Sequence, residues 1–276
     1  MLVKPIGPIY TTQLFLPLSK ELLGVLKSLT PEDWVKPTVC LPWTVKEVAA
    51  HLLGGNFGRL WNRTESSPAP ILLYDELLEQ INEDNALWVK ASRRISPHII
   101  IELIELTDRL LARHFQSLDL HGSAEITVAW ASDQIPPNWF DIAREYTEKW
   151  LHQQHIRQAV GRPLMMESVW LAPVLDTFIR GLLRTFGNTD AILGTSIGVQ
   201  IVGEAGGEWA LVRGESGWEL FVGHPLHPVS QVKIDQSVAW RLFTRSLDPN
   251  TARHQVEILG NKTLGYKVLE TVSIMA

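Results

Sequence analysis

The sequence predicts an α plus α+β chain: a helical bundle over residues 1–187, followed by a small α+β domain with an antiparallel sheet over residues 188–276. Three observations lead there. From Thr11 to about Gly187 the apolar residues recur at steps of three and four, the period of helices with one buried face. Past Asn188 the period falls to two, with glycines between the runs, as in short antiparallel strands. With 276 residues, 45% of them hydrophobic and 20% charged, the chain can also bury a sizeable core, which excludes a disordered tail.

Leu14, Leu18, Leu22, Leu23 and Leu26 lay out the first helix, which closes at Thr30-Pro31. Thr30-Pro31-Glu32-Asp33 reads as an N-cap, a proline at the first helical position and acids against the dipole, so a short helical piece follows through Trp34. Pro37 and Pro42 end it. Thr44 and Glu47 then form a capping box, and Val45, Val48, Ala49, Leu52 and Leu53 stripe a helix that carries His51 toward Arg63. Pro68-Ala69-Pro70 is a loop. Asp75–Ala91 and Pro97–Phe115 are two helices broken near Ser96-Pro97, the second keeping its period through Leu103, Leu106, Leu110 and Leu111. Between Leu118 and Pro137 the pattern lapses over a connection long enough to predict a functional loop. Asn138 caps the clearest helix, Trp139 to about Val160, which has Asp141 in its first turn, Gly161 at its end and Pro163 beyond. A further apolar helix spans Ser168–Phe186.

In the last third, Val199 and Ile201, then Trp209 and Leu211, then Trp218, Leu220 and Val222 alternate with polar or small residues. Gly206-Gly207 and Ser216-Gly217 mark the turns, so three antiparallel strands are expected. Val232–Ile234 adds a strand, Asp235 caps a helix through Phe243, Gln255–Leu259 is another strand and Lys262–Ile274 a closing helix.

The single cysteine, Cys40, excludes intramolecular disulfides, cysteine-rich zinc modules, iron–sulfur clusters and Cys-x-x-Cys redox chemistry. A metal must then sit on His, Asp or Glu. The net charge of −5 offers no basic field to a phosphate backbone, so no nucleic acid is expected as a partner. Met1–Ser19, broken by Pro5, Pro8 and Pro17, does not read as a signal peptide. The most apolar segment, His98–Leu111, carries four charged residues and falls short of the ~20 apolar residues of a membrane span. The expectation is a cytoplasmic monomer or homodimer with no membrane partner, whose sequons at Asn62 and Asn261 are accidental.

Glu148 and His152 stand four residues apart on the Trp139–Val160 helix, so they project from one face and can share a small cation. His51, beside the apolar stripe of another helix, is the candidate third ligand, because bundle metal sites are built from facing helices. Two histidines and one carboxylate leave open positions for water or substrate, and such an ion lowers the pKa of a bound water or thiol. On their own, the same residues also read as a solvated i,i+4 pair and a bundle histidine. At ~100° per residue, Glu145 and His155 lie within about 60° of His152, so either can be a ligand or an orienting group in place of Glu148. Arg144 and Arg157 read either as carboxylate binders or as surface ion pairs. His224 and His227 read as a solvated Pro-rich loop. Cys40, between Val39 and Leu41, reads as a small buried hydrophobe with nothing basic beside it. Trp34, Trp43, Trp61, Trp139 and Trp150 read as core anchors.

The run Trp43-Thr44-Val45-Lys46-Glu47-Val48-Ala49-Ala50-His51, the Val128-Ala129-Trp130 segment and the helix Arg144–Gly161 together resemble the mycothiol-dependent maleylpyruvate isomerase family. The resemblance implies a DinB-like four-helix bundle at the N-terminus. It also implies a divalent metal, usually zinc, held by a histidine of the second helix and by the pair of a Glu-x-x-x-His helix. Carried over by position, these are His51, Glu148 and His152. The segment from Ile197 through Trp240-Arg241-Leu242 and Ile258-Leu259-Gly260 is similar to the family's smaller domain of sterol-carrier type. An arginine of that domain is implied to help hold an anionic substrate, for which Arg213, Arg241 and Arg245 are available beside Arg144. The family pattern favours Glu148 as the acid, which leaves Glu145 and His155 to orient a ligand or meet the substrate.

These readings together predict a zinc-dependent enzyme acting on a small molecule. It would activate a low-molecular-weight thiol, mycothiol or an analogue, for transfer to, or cis–trans isomerisation of, a small electrophile such as maleylpyruvate. Cys40 has no feature of a nucleophile, so the sulfur must arrive with the cofactor. Two rivals share the residues: a hydrolase using zinc-bound hydroxide without thiol, and a non-catalytic small-molecule or lipid-binding protein.

Overall fold

The computed structural model describes residues 2–60, 74–132 and 134–274; Trp61, the Asn62 sequon and the Pro68–Pro70 loop lie outside them. The chain divides into two compact units, one of Tyr10–Ile126 with Pro136–Met165, the other of Met1–Ile9, Thr127–Ile135 and Met166–Ala276.

The first unit is helical: α1 (Phe15–Lys27), α2 (Pro31–Trp34), α3 (Val45–Leu60), α4 (Tyr74–Ser92), α5 (Pro97–Ser117) and α6 (Asn138–Ala159). Helices α1, α3, α5 and α6 pack on one another as a four-helix bundle, with α4 against α3. The expected caps are present. Thr30 and Asp33 form the box that starts α2, and Thr44 and Glu47 exchange backbone and side-chain hydrogen bonds at the start of α3. The core joins Leu22 and Leu26 of α1 to Val48, Ala49 and Leu53 of α3, Ile100 and Ile104 of α5 and Ile156 of α6. At Gly54 an added Cβ would stand 2.5 Å from the Trp88 ring, so the glycine is what lets α4 approach α3 there.

Two expectations are corrected here. The buried stripe of α5 is Ile100, Ile104, Leu111 and Phe115, whereas Leu106 and Leu110 are exposed, because the face that packs on the bundle is set by Ile100 and Ile104. Asn138 is the first residue of α6 and not its cap: its side-chain amide donates to the carbonyl of Asp119 at 2.8 Å and ties down the preceding loop.

A buried polar network runs through all four bundle helices. Lys149 Nζ on α6 donates to Asn56 Oδ1 on α3 at 2.6 Å and to Asp108 Oδ1 on α5 at 2.9 Å, while Ser19 Oγ on α1 donates to Asp108 Oδ2 at 2.6 Å. Asn56 Nδ2 completes it through Thr107 and Asp108, both at 2.8 Å. Every charge in the group has a partner, which is the condition under which a buried network fixes register.

The second unit is built on a six-stranded sheet. Its elements are β1 (Leu2–Pro5), α7 (Ser168–Phe178), α8 (Gly181–Phe186), β2 (Ser196–Val202), β3 (Gly207–Arg213), β4 (Trp218–His224), β5 (Ser230–Asp235), α9 (Gln236–Phe243), α10 (Pro249–Ala252), β6 (Val256–Gly260) and α11 (Lys262–Val268). The strand order is β1-β4-β3-β2-β5-β6, antiparallel throughout except for the parallel pair β2–β5. The β2–β3–β4 meander is as expected, and Gly206 is required in its first turn, where a Cβ would lie 2.1 Å from the Ile201 carbonyl oxygen. Asp235 caps α9 by accepting from Ser237 N at 2.8 Å. Asn261 of the second sequon caps α11 by accepting from Leu264 N at 3.1 Å.

Here too the structure departs from the sequence expectation. Strand β1 is too short to show a period in the sequence, and its Pro5 sits at a sheet edge, where a missing N–H costs nothing. The apolar run Ser168–Phe186 is two helices, parted where Gly181 admits the C-terminal segment: a Cβ there would stand 2.6 Å from Ser273 Oγ. The closing helix stops at Val268. The units also do not part at 187/188, because α7 and α8 group with the sheet; Trp209 Nε1 of β3 donates to Asp176 of α7 at 3.1 Å. Helical period alone does not say which core a helix joins. Among the described residues no helix is long and apolar enough to cross a membrane.

Candidate metal centre

Helices α3 and α6 pack against each other in the bundle, and His51 of α3 meets Glu148 of α6 there. The capping box at Thr44 sets the start of α3, whose apolar stripe of Val45, Val48, Ala49, Leu52 and Leu53 turns inward and leaves His51 at the flank of that stripe. On α6, Glu148 and His152 are one turn apart. One oxygen of Glu148, Oε1, lies 2.9 Å from His51 Nε2 and 3.0 Å from His152 Nε2. The His51 and His152 side chains are 11% and 12% exposed and that of Glu148 31%, so the carboxylate is the open side of the cluster. Trp43 lies against the His51 ring at a centroid distance of 5.0 Å.

Burial pulls the Glu148 carboxyl up, but the charge of His152 and the hydrogen bonds from His152 and His51 outweigh it and hold the group well below the usual carboxylate range. The acid is therefore an anion with two imidazole nitrogens on one oxygen. These distances suit ring N–H donors, and the same three atoms suit coordination once a cation replaces those protons. With bonds of ~2.0–2.1 Å, tetrahedral ligand atoms stand about 3.3 Å apart, close to the spacing seen. All three ligand atoms lie within 4.8 Å of one another. His51 Nδ1 is buried without a hydrogen-bond partner.

Residues Phe15 to Arg157, just over half of the chain, match the family model of the mycothiol maleylpyruvate isomerase N-terminal domain. The chain belongs to that family. Among solved structures it is similar to a mycothiol-dependent maleylpyruvate isomerase at 13% identity, with 85% of this chain and 88% of that chain covered and a TM-score of 0.47. A histidine-to-alanine mutant of such an isomerase gives 12% identity, the same coverage and a TM-score of 0.46. A ubiquinone synthesis protein described as UbiJ-SCP2 covers 38% of this chain and 97% of its own at 18% identity, with a TM-score of 0.27. No curated protein matches the sequence.

In this member of the maleylpyruvate isomerase family the remaining candidates lie as follows. Glu145 is drawn into ion pairs, 2.5 Å from Arg144 Nη2 and 3.8 Å from Arg59 Nε, and belongs to neither group of metal-capable side chains found among the described residues. Arg144 is held by Glu145 and lies 3.7 Å from Asp141 Oδ1, and Arg59 also pairs with Asp141. Burial works against the Arg144 charge, yet the carboxylates of Glu145, Asp141 and Glu148 raise its pKa above the ordinary value. Arg157 pairs with Glu21 at 3.1 Å. Arg213 ends β3, and Arg241 on α9 donates from Nε to the carbonyl of Ser237 at 2.7 Å. His224 and His227 belong to no such group. Of the tryptophans, Trp34 and Trp150 are core anchors, whereas Trp43 serves the His51 ring.

Cys40 is the residue that sequence reasoning missed. Its Sγ lies 2.8 Å from His155 Nδ1 and 3.9 Å from His152 Nδ1, so two basic rings stand beside a thiol that has none beside it in sequence. Burial, reinforced by the Glu148 charge and opposed by a Thr38 hydrogen bond, pushes the thiol up to about 12. Burial, with the neighbouring His152, pushes His155 down to about 3. The one available signal is position: Pro37 and Pro42 bracket a turn immediately before the His51 helix, and that turn delivers Cys40 to the cluster.

Proposed function

We propose that the chain is a metal-dependent enzyme that holds a divalent cation, zinc by donor type, on His51, Glu148 and His152. It would use a low-molecular-weight thiol such as mycothiol for transfer to, or cis–trans isomerisation of, a small electrophile. The observation that carries this reading is the convergence of His51 Nε2 and His152 Nε2 on a single oxygen of Glu148. A bound zinc supplies stabilisation of a thiolate at neutral pH, which a free thiol with a pKa near ~8.5 lacks. The chain's own residues do the rest. His51 and His152 fix the donor geometry from two rigid helices, Glu148 contributes the only negative charge of the three, and Trp43 walls the His51 ring. For a cis-alkene the thiolate would add to one alkene carbon, the resulting single bond would rotate, and expulsion of the same thiolate would restore the double bond as trans. No electron or atom is gained or lost.

The substrate-anion candidates remain Arg144, Arg213 and Arg241; replacing the one that binds the anion with alanine should raise KM and spare kcat. The thiol requirement is tested with Cys40→Ser protein loaded with cobalt, in which any sulfur must come from outside. Added mycothiol or an analogue should produce thiolate-to-cobalt absorption in the near ultraviolet. An unchanged spectrum with every thiol offered would favour the metal-hydroxide hydrolase, and a chain without stoichiometric metal would favour a binding protein.

A further inference from the structure

Beside the proposed centre lies a second group of ligand atoms that the chemistry above does not use. Cys40, His152 and His155 each offer a ligand atom within 4.8 Å of the others, and Cys40 Sγ lies 2.8 Å from His155 Nδ1 and 3.9 Å from His152 Nδ1. They come from two places in the fold. Cys40 sits in the turn before α3, held by its backbone N–H donating to Thr38 Oγ1 at 3.2 Å and by its carbonyl accepting from Trp43 N at 2.8 Å. The two histidines are one turn apart on α6, their rings 5.3 Å apart at 82°. His155 is 5% exposed, and its Nε2 has no hydrogen-bond partner, so Cys40 is the polar group that meets the ring.

We infer that Cys40, His152 and His155 form a second, sulfur-containing cation site that shares the His152 ring with the first. Three features carry this. The His152 ring offers Nε2 to Glu148 at 3.0 Å and Nδ1 toward Cys40 at 3.9 Å, so its two nitrogens serve opposite sides and both sites can be filled at once. Bonds of ~2.3 Å to sulfur and ~2.0 Å to nitrogen place tetrahedral S and N ligand atoms about 3.5 Å apart, and the observed 2.8 and 3.9 Å straddle that spacing. The donor set also selects the ion: one thiol sulfur and two imidazoles suit zinc, cobalt or cuprous copper and are poor ligands for magnesium or calcium. Binding would release the Cys40 thiol proton and the His152 ring proton to solvent, leaving a thiolate and a bridging ring. This extends the proposed function without depending on its thiol chemistry.

The test is cobalt titration of the full chain, stripped with chelator and kept free of added thiol. Cys40 is the only cysteine, so any thiolate-to-cobalt absorption in the near ultraviolet reports on it alone. The expected result is uptake of a second equivalent accompanied by that band. Cys40→Ser and His155→Gln should each abolish the band and the second equivalent, and keep the weaker visible bands of the first. Two findings would overturn the inference: no near-ultraviolet band on the unaltered chain, or equal cobalt uptake by the unaltered chain and both variants. Glu148→Gln separates the two sites. Uptake of one equivalent with retention of the thiolate band supports both, whereas uptake of two equivalents by Glu148→Gln counts against the first site only.

Discussion

At the scale of single residues, His155 shows what burial of an ionisable group beside other polar groups does to stability. Its folded-state pKa is near 3, against an ordinary value of 6.5. Above pH 6.5 the ring is neutral in both states and contributes no pH dependence. Below it the unfolded chain takes up a proton that the folded chain refuses until about pH 3, so stability falls with pH across that window by at most ~1.4 kcal/mol per pH unit. Denaturant titrations of the chelator-stripped protein between about pH 7 and pH 4 should show this slope, and His155→Gln should flatten it. An equally steep limb in the variant would mean that His155 is not the group responsible. Glu148, held low by its histidines, adds its own loss of stability below the ordinary carboxylate range as the acid protonates. That His51, Glu148 and His152 come together was legible in the sequence, because two of them are four residues apart and the third lies in a recognisable run. Cys40 was not, because it meets His155 across 115 residues and only the folded turn closes that distance.

Among the helices, the Lys149–Asp108–Asn56–Ser19 network is the feature most exposed to a single change. It joins four helices through charges that are almost fully buried, with side chains 9% and 5% exposed for Lys149 and Asp108. Lys149→Met leaves Asp108 buried without its cation and should cost about 3–5 kcal/mol in urea or thermal unfolding. Adding Asp108→Asn to that variant removes the unpaired charge and should recover a large part of the loss. If the double variant instead loses the sum of the two single effects, the pair is not coupled and the network does not act as a unit. Local signals read the helix starts well: the caps at Thr30, Thr44 and Asp235 are where side-chain chemistry puts them. They failed where tertiary contact decides. Leu106 and Leu110 keep a helical period yet face solvent, since the same helix offers Ile100 and Ile104 on the face that α1 and α3 cover.

For the whole chain, the period change near Asn188 correctly separated helical from strand-forming sequence, but it is not a unit boundary. The sheet unit takes in β1 from the start of the chain and α7 and α8 from the helical stretch, pairings that depend on contacts far apart in sequence. The family assignment rests on the bundle half, where both helices of the proposed centre lie. There we propose that His51, Glu148 and His152 hold one metal ion. The most direct measurement is elemental metal analysis and zinc affinity of the Cys40→Ser chain, which isolates this centre, beside the same chain carrying Glu148→Gln or His152→Ala. About one tightly held zinc per Cys40→Ser chain, lost or weakened by at least ~10–100-fold in either double variant, is the predicted result. A Cys40→Ser chain that holds no stoichiometric metal, or double variants that bind zinc as tightly as it does, would contradict it.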